Sequence, residues 1–262
     1  MSRMLQKVQR LRRRLPWLAA IALNSALVVW APIVSGQVLY LSPASQSPGS
    51  IVSVKDFKIP SKAEHEFARG LDRLKKQDAA GSLVSFDEAI QLYPDYYQAY
   101  YNEGVAQMRL GRDESAHQSY QKAIDLSEGR YIRAVFGYGL VLCREGKPEE
   151  AARVVRRGLE LDPSIPDGHV VRALALLELH RLDEAESRAQ EALRSPTVLE
   201  SSKAYLVPAD IHTERRDYPA QAQDLQTYLS LAPDDPNSDF LRTLLSIEQR
   251  IAAAIAETAA QN

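Results

Sequence analysis

The sequence predicts an all-α solenoid of about five stacked helix-turn-helix units, closed by a C-terminal helix. Three columns of residues carry that prediction. Small residues recur at Gly70, Gly104, Gly139, Ala173 and Ala209, in steps of 34, 35, 34 and 36 residues. Phe86, Tyr120, Val155, Ala189 and Leu225 keep the same steps, and so do Ala89, Ala123, Gly158, Ala192 and Tyr228. A period near 34 residues with helical spacing inside it marks a repeat array, in which each unit buries its apolar face only against its neighbours.

The elements follow in order within each unit. A first helix carries the small residue, and Tyr100, Gly104 and Gln107 share one stripe of it in the second unit. The small residue supplies a close-approach point, and the bulky column at Phe86 and Tyr120 fills the space beside it. Gly111 and Gly146 stand where a helix end takes a left-handed residue. Second helices open beside a proline or acids: Pro148 suits the first turn, and Glu149, Glu150, Asp183 and Glu184 suit the positive helix N-terminus. Pro94, Pro163 and Pro233 close second helices. These signals place units near 63–96, 97–131, 132–165, 166–200 and 202–235. Pro208 falls inside the first helix of the fifth unit and is expected to kink it. In 236–262, Phe240, Leu244, Ile247 and Ile251 lie at helical spacing, the pattern of a helix that caps the last unit.

The N-terminal segment has its own character. Residues 1–36 hold six basic groups (Arg3, Lys7, Arg10, Arg12, Arg13 and Arg14) and no acids, followed by an apolar run from Leu15 to Val34 and a small-residue end at Val34-Ser35-Gly36. That pattern predicts a secretory signal peptide cleaved near Gly36, or a retained signal-anchor, since the run is about 20 residues, enough to span a bilayer. A transit peptide is a third reading. The basic cluster stays in the cytoplasm by the positive-inside rule, so the repeats are expected outside it, periplasmic or secreted. Membrane contact is expected only through this segment if it is uncleaved. Residues 37–60, with Ser42-Pro43-Ala44-Ser45-Gln46-Ser47-Pro48-Gly49-Ser50, read as a flexible linker. Cys143 is the single cysteine, so no intrachain disulfide forms and no lipid-attachment cysteine follows the leader.

Residue by residue, the repeats resemble the tetratricopeptide repeat family. The clearest stretch is Tyr100, Gly104, Gly111, Ala116, Tyr120 and Ala123, followed by Gly139, Gly146, Ala151, Gly158 and Pro163. Arg69 stands where the family usually has leucine, and His180 replaces the turn glycine of the fourth unit. The likeness covers about residues 61–235 and implies a right-handed α-solenoid that binds a peptide or protein along its concave face. Mapped onto this chain, that groove draws on Phe67, Gln98, Tyr101, Asn102, Arg109, Arg133, Phe136, Arg144 and Val171, with Leu71, Val105, Leu140, Val170, Leu174 and Glu178 beside them. Asn102 is the leading candidate for gripping peptide backbone. The family's clamp for acidic chaperone tails is not reproduced, because Phe67, Leu71 and Gly137 stand at three of its positions.

Composition and motif content bear on function. The whole chain has net charge −2, but beyond residue 36 its 34 acids face only 26 basic groups, an acidic body that argues against nucleic acid. No His-Glu-x-x-His, phosphate loop or nucleophile elbow occurs, and no pair among His65, His117, His169, His180 and His212 has metal-ligand spacing. The histidines read as solvated or beside helix caps. No cofactor, metal or catalytic residue is therefore expected. The expectation is an exported, non-catalytic scaffold for a partner of unknown identity. A membrane-anchored assembly factor for an envelope, secretion or pilus machine, a homo-oligomeric structural protein and an enzyme on an unusual helical array are the alternatives.

Overall fold

The structure is a computed structural model and describes residues 59–194, 202–234 and 237–260. The expected leader, most of the linker and the end of the fourth unit lie outside the described residues. Four helical pairs come first: α1 (Ser61–Lys75) with α2 (Ala79–Leu92), α3 (Tyr97–Arg109) with α4 (Asp113–Leu126), α5 (Ile132–Arg144) with α6 (Pro148–Leu161), and α7 (Pro166–Glu178) with α8 (Leu182–Leu193). A 3-10 turn, Ser202–Tyr205, leads into α9 (Leu206–Arg215) and α10 (Tyr218–Leu231), and α11 (Ser238–Ala260) ends the described chain. Each helix packs on the next, and α1, α3, α5, α7 and α9 also meet in succession, so the first helices form an inner layer. The described residues are thus an all-α solenoid.

Local chemistry sets the boundaries. Pro148, Pro166 and Pro219 occupy the first turns of α6, α7 and α10, where a missing N–H costs nothing. The Asp78 carboxylate accepts from the Gly81 amide at 2.8 Å and caps α2. Within every unit the inter-helix turn is the same. Gln77, Gly111, Gly146, His180 and Arg216 are left-handed, with φ between 54° and 70°. The next amide in each case bonds back five residues, at 2.9 Å: Asp78 to Arg73, Arg112 to Gln107, Lys147 to Leu142, Arg181 to Leu176 and Asp217 to His212. These are Schellman closures.

The small-residue column works as expected. Gly70 faces Phe86, Gly104 faces Tyr120 and Gly139 faces Val155, each partner sixteen residues on and fully buried. Ala173 and Ala189, then Ala209 and Leu225, hold the corresponding positions in the last two units and are also buried. Cys143 is buried as a small hydrophobe, and burial pushes its thiol pKa up.

Two expectations change. Pro208 does not kink a helix interior: α9 starts at Leu206, so the proline sits in its first turn. It lacks the N–H that would bond to the Ala204 carbonyl; the turn before α9 is 3-10, and α9 has only 10 residues. In α11 the buried stripe is Leu241, Leu244, Leu245 and Glu248, not one led by Phe240: Leu241 is 1% exposed and Phe240 54%. The helix does cover the end of the array, packing on α10. Among the described residues no helix is long and apolar enough to cross a membrane.

Candidate interaction surface

Most of the apolar residues expected to line an open groove, and Asn102, are buried, whereas Leu71, Gln98, Arg109, Arg133 and Arg144 are half-buried. Phe67, Tyr101, Asn102, Phe136 and Val171 are buried, as are Val105, Leu140, Val170 and Leu174. The reason is packing: α3, α5 and α7 meet closely, and these side chains fill the space between them. Tyr101 lies 5.4 Å from Tyr131 edge-on and 5.7 Å from Tyr120. Phe67 packs on Phe86 and Tyr96. Phe136 occupies the room left by Gly158 and Gly168, where a Cβ would come within 2.6 and 2.5 Å of its ring.

The polar members of that set are tied into the scaffold. Asn102 donates to the Gln98 carbonyl at 2.8 Å. Arg109 donates to the Leu74 carbonyl at 2.7 Å, satisfying the end of α1. Arg144 grips both oxygens of Asp113, at 2.9 and 3.1 Å, and joins α5 to the start of α4. Arg133 lies 3.6 Å from Asp167; burial opposes its charge, but Tyr101 and Asp167 outweigh that and its pKa is raised. Glu178 stays exposed at the end of α7.

A different column is half-exposed in the first four units. Immediately before each small residue stand Arg69, Glu103, Tyr138, Arg172 and Pro208. This position lies where a first helix meets the second helices of its own and the preceding unit. Arg69 donates to Ser85 at 3.1 Å and Glu88 at 3.0 Å and pairs with Glu66 at 2.7 Å. Burial raises the pKa of Glu103 to about 7, a hydrogen bond with Ser119 opposes that, and Asp87 adds to it. Tyr138 meets the His117 ring edge-on at 4.8 Å, and His117 bonds Glu145 at 2.9 Å. Arg172 stands near Arg188 and Arg156. In the fifth unit Pro208 itself is buried, and His212 bonds Asp224 at 2.6 Å nearby, a contact that raises the histidine pKa. The result is a half-exposed polar seam along an apolar array. Its signal was in the sequence: the column keeps the repeat step, but only Arg69 stood out there as a departure.

The histidines mostly fit the expected pattern: His65 and His180 are exposed, His169 near the start of α7 bonds the Pro163 carbonyl at 2.8 Å and His212 lies in the last turn of α9, while His117 departs from it by bonding Glu145. Among the described residues no three His, Cys, Asp or Glu side chains converge to hold a metal ion.

Comparison with known proteins bears on the fold. A fragment of 76 residues is 37% identical to protein FlbA of Caulobacter vibrioides, covering 26% of this chain and 13% of that one. Another, of 147 residues, is 27% identical to cellulose synthase 1 operon protein C of Komagataeibacter xylinus, covering 52% of this chain and 11% of that one. The chain therefore spans only about an eighth of the length of these relatives. Among solved structures, a thermophilic tetratricopeptide repeat protein of Thermus thermophilus superposes with a TM-score of 0.62 at 18% identity, over 71% of this chain and 98% of the other. The tetratricopeptide repeat model matches residues 67–131 and 170–236, half of the sequence. With the helix pairs, the repeating closures and the small-residue column, this match establishes that the chain belongs to the tetratricopeptide repeat family.

Proposed function

We propose that this chain is an exported, non-catalytic scaffold that holds a peptide or protein partner along its polar seam. Interaction through repeats is the general role of the fold, and the repeats here are shown. The observation that carries the finer reading is the seam. It sets partly exposed Arg69, Glu103, Tyr138 and Arg172 in register on one edge, while the inner layer is packed with side chains. Export rests on the basic and apolar leader.

A photo-crosslinking amino acid at Tyr138, in the full chain in living cells, tests the surface. Crosslinks to a discrete protein from Tyr138, and none from Leu231 on the outer helix α10, are expected. Crosslinks from Leu231 alone would move the interface off the seam. Intact mass of the purified protein tests the leader, with loss of residues 1–36 expected.

A second reading, an anchored assembly factor for an envelope machine, draws on two observations. The Leu15–Val34 run is long enough to remain in a membrane, and one relative is named for a cellulose synthase operon. An uncleaved mass would favour it.

A further inference from the structure

Three arginines, Arg172 of the seam and two beside it, stand together with little counter-charge. Arg156 on α6, Arg172 on α7 and Arg188 on α8 are sixteen residues apart, the spacing of the rungs. Arg156 and Arg172 follow Val155 and Val171, which both lie against Gly139. Arg172 and Arg188 precede Ala173 and Ala189, the buried rung of the fourth unit. The proximity is felt electrostatically: after burial, Arg188 and Arg156 are the main causes that lower the pKa of Arg172.

The nearby acids are mostly shared with other arginines, although Glu184 still opposes the lowering of the Arg172 pKa. Glu184 pairs with Arg181 at 2.6 Å, and Asp183 and Glu186 are both held by Arg215 of the next unit, at 2.6 and 2.5 Å. Glu160 reaches Arg156 only at 3.8 Å, with both side chains exposed. Among the described residues, Arg172 and Arg188 have no ion pair or hydrogen bond. Like charges held this way raise the free energy of the empty protein and lower it when an anion arrives.

We propose that Arg156, Arg172 and Arg188 form a docking site for an extended acidic segment of a partner protein, taking up one carboxylate per helix. The proposal rests on the scaffold reading and names its partner's chemistry. Packed helices stand about 8–10 Å apart, and an extended chain advances about 3.1–3.4 Å per residue. Acids about three residues apart therefore match the spacing of the three helices that carry the arginines. A short segment suits the site better than a long polyanion or an anionic bilayer. Beyond residue 36 the chain carries 34 acids against 26 basic groups, which repel any extended negative surface.

The test uses the full chain and a labelled synthetic peptide with glutamate at every third position, read by fluorescence anisotropy at low salt. Binding is expected to weaken about tenfold or more when glutamine replaces glutamate in the peptide, in Arg172→Gln/Arg188→Gln, and in high salt. The exposed single change Arg156→Gln gives a smaller loss and guards against misfolding of the double variant. Equal affinity for both peptides, or an unchanged affinity in the double variant, overturns the proposal. Duplex DNA and phosphatidylglycerol vesicles run in parallel, and arginine-dependent binding of either without the peptide overturns it too. If crosslinks from Tyr138 persist while the peptide fails, the scaffold stands and only the acidic partner falls. If both fail, the scaffold reading falls with it.

Discussion

Gly70 lies so close to Phe86 that a Cβ on the glycine would meet the ring's Cε1 at 2.5 Å. The ring is fully buried and cannot swing away. Gly70→Ala is therefore expected to cost roughly 1–3 kcal/mol, the range for overpacking a filled core. Phe86→Leu should recover part of that loss in the double variant, a positive coupling in a urea-denaturation cycle. Additive effects would show that the pair does not share one space.

Replacing residues held left-handed without being glycine should help. Gln77 and His180 sit at φ of 63° and 54° in turns where Gly111 and Gly146 do the same job. The left-handed region costs an L-residue about 1–2 kcal/mol, and glycine gives back part of that through its freer unfolded chain. Gln77→Gly and His180→Gly should each add about 0.5–1 kcal/mol to stability, seen as a rise in Tm. A fall in Tm for both would mean that the side chains matter more than the backbone.

Arg144→Ala should be among the most damaging polar changes. The guanidinium is 10% exposed and grips both oxygens of Asp113 across two helices. Removing it leaves a carboxylate that is 31% exposed without its partner, at a cost of about 1–3 kcal/mol, less than for a fully buried pair. Denaturant midpoints measure it, and Arg144→Lys should recover only part, because a point charge cannot bond in a fork.

Stability should depend on pH through Glu103. Burial holds its carboxyl near 7, against an ordinary value of 4.5. Between those values the folded chain keeps a proton that the unfolded chain releases, so this group's contribution falls as pH rises through that window and is lowest above it. Glu103→Gln should raise Tm by a few degrees at pH 8 and leave it nearly unchanged at pH 4. An equal shift at both values would assign the effect to packing instead.

The fold was legible because its period is written in side-chain size. Gly104 before Tyr120 and Gly139 before Val155 state the contact directly. The polar seam was not legible in the same way. Tyr101, Asn102 and Phe136 are buried where successive helices pack, and that burial is set by the sum of many contacts rather than by any one residue. Arg69, Glu103 and Arg172 keep the period too, but polar residues at a repeat step read as solvated unless their neighbours are known. Phe240 misled for a simpler reason: Leu241 beside it fits the same helical stripe one position later.

The rungs of the array are unequal in strength. Phe86, Tyr120 and Val155 fill the first three, but the fourth pairs Ala173 with Ala189. A buried aromatic or branched side chain contributes about 1.5–3 kcal/mol that two alanines do not. Since each unit leans only on its neighbours, pulling on the two ends would load every junction alike. The light rung of the fourth unit adjoins the sparsest packing between successive helices, that of α8 on α9, so the chain would part there first and leave the front of the array folded: a mechanical fuse beside the three arginines.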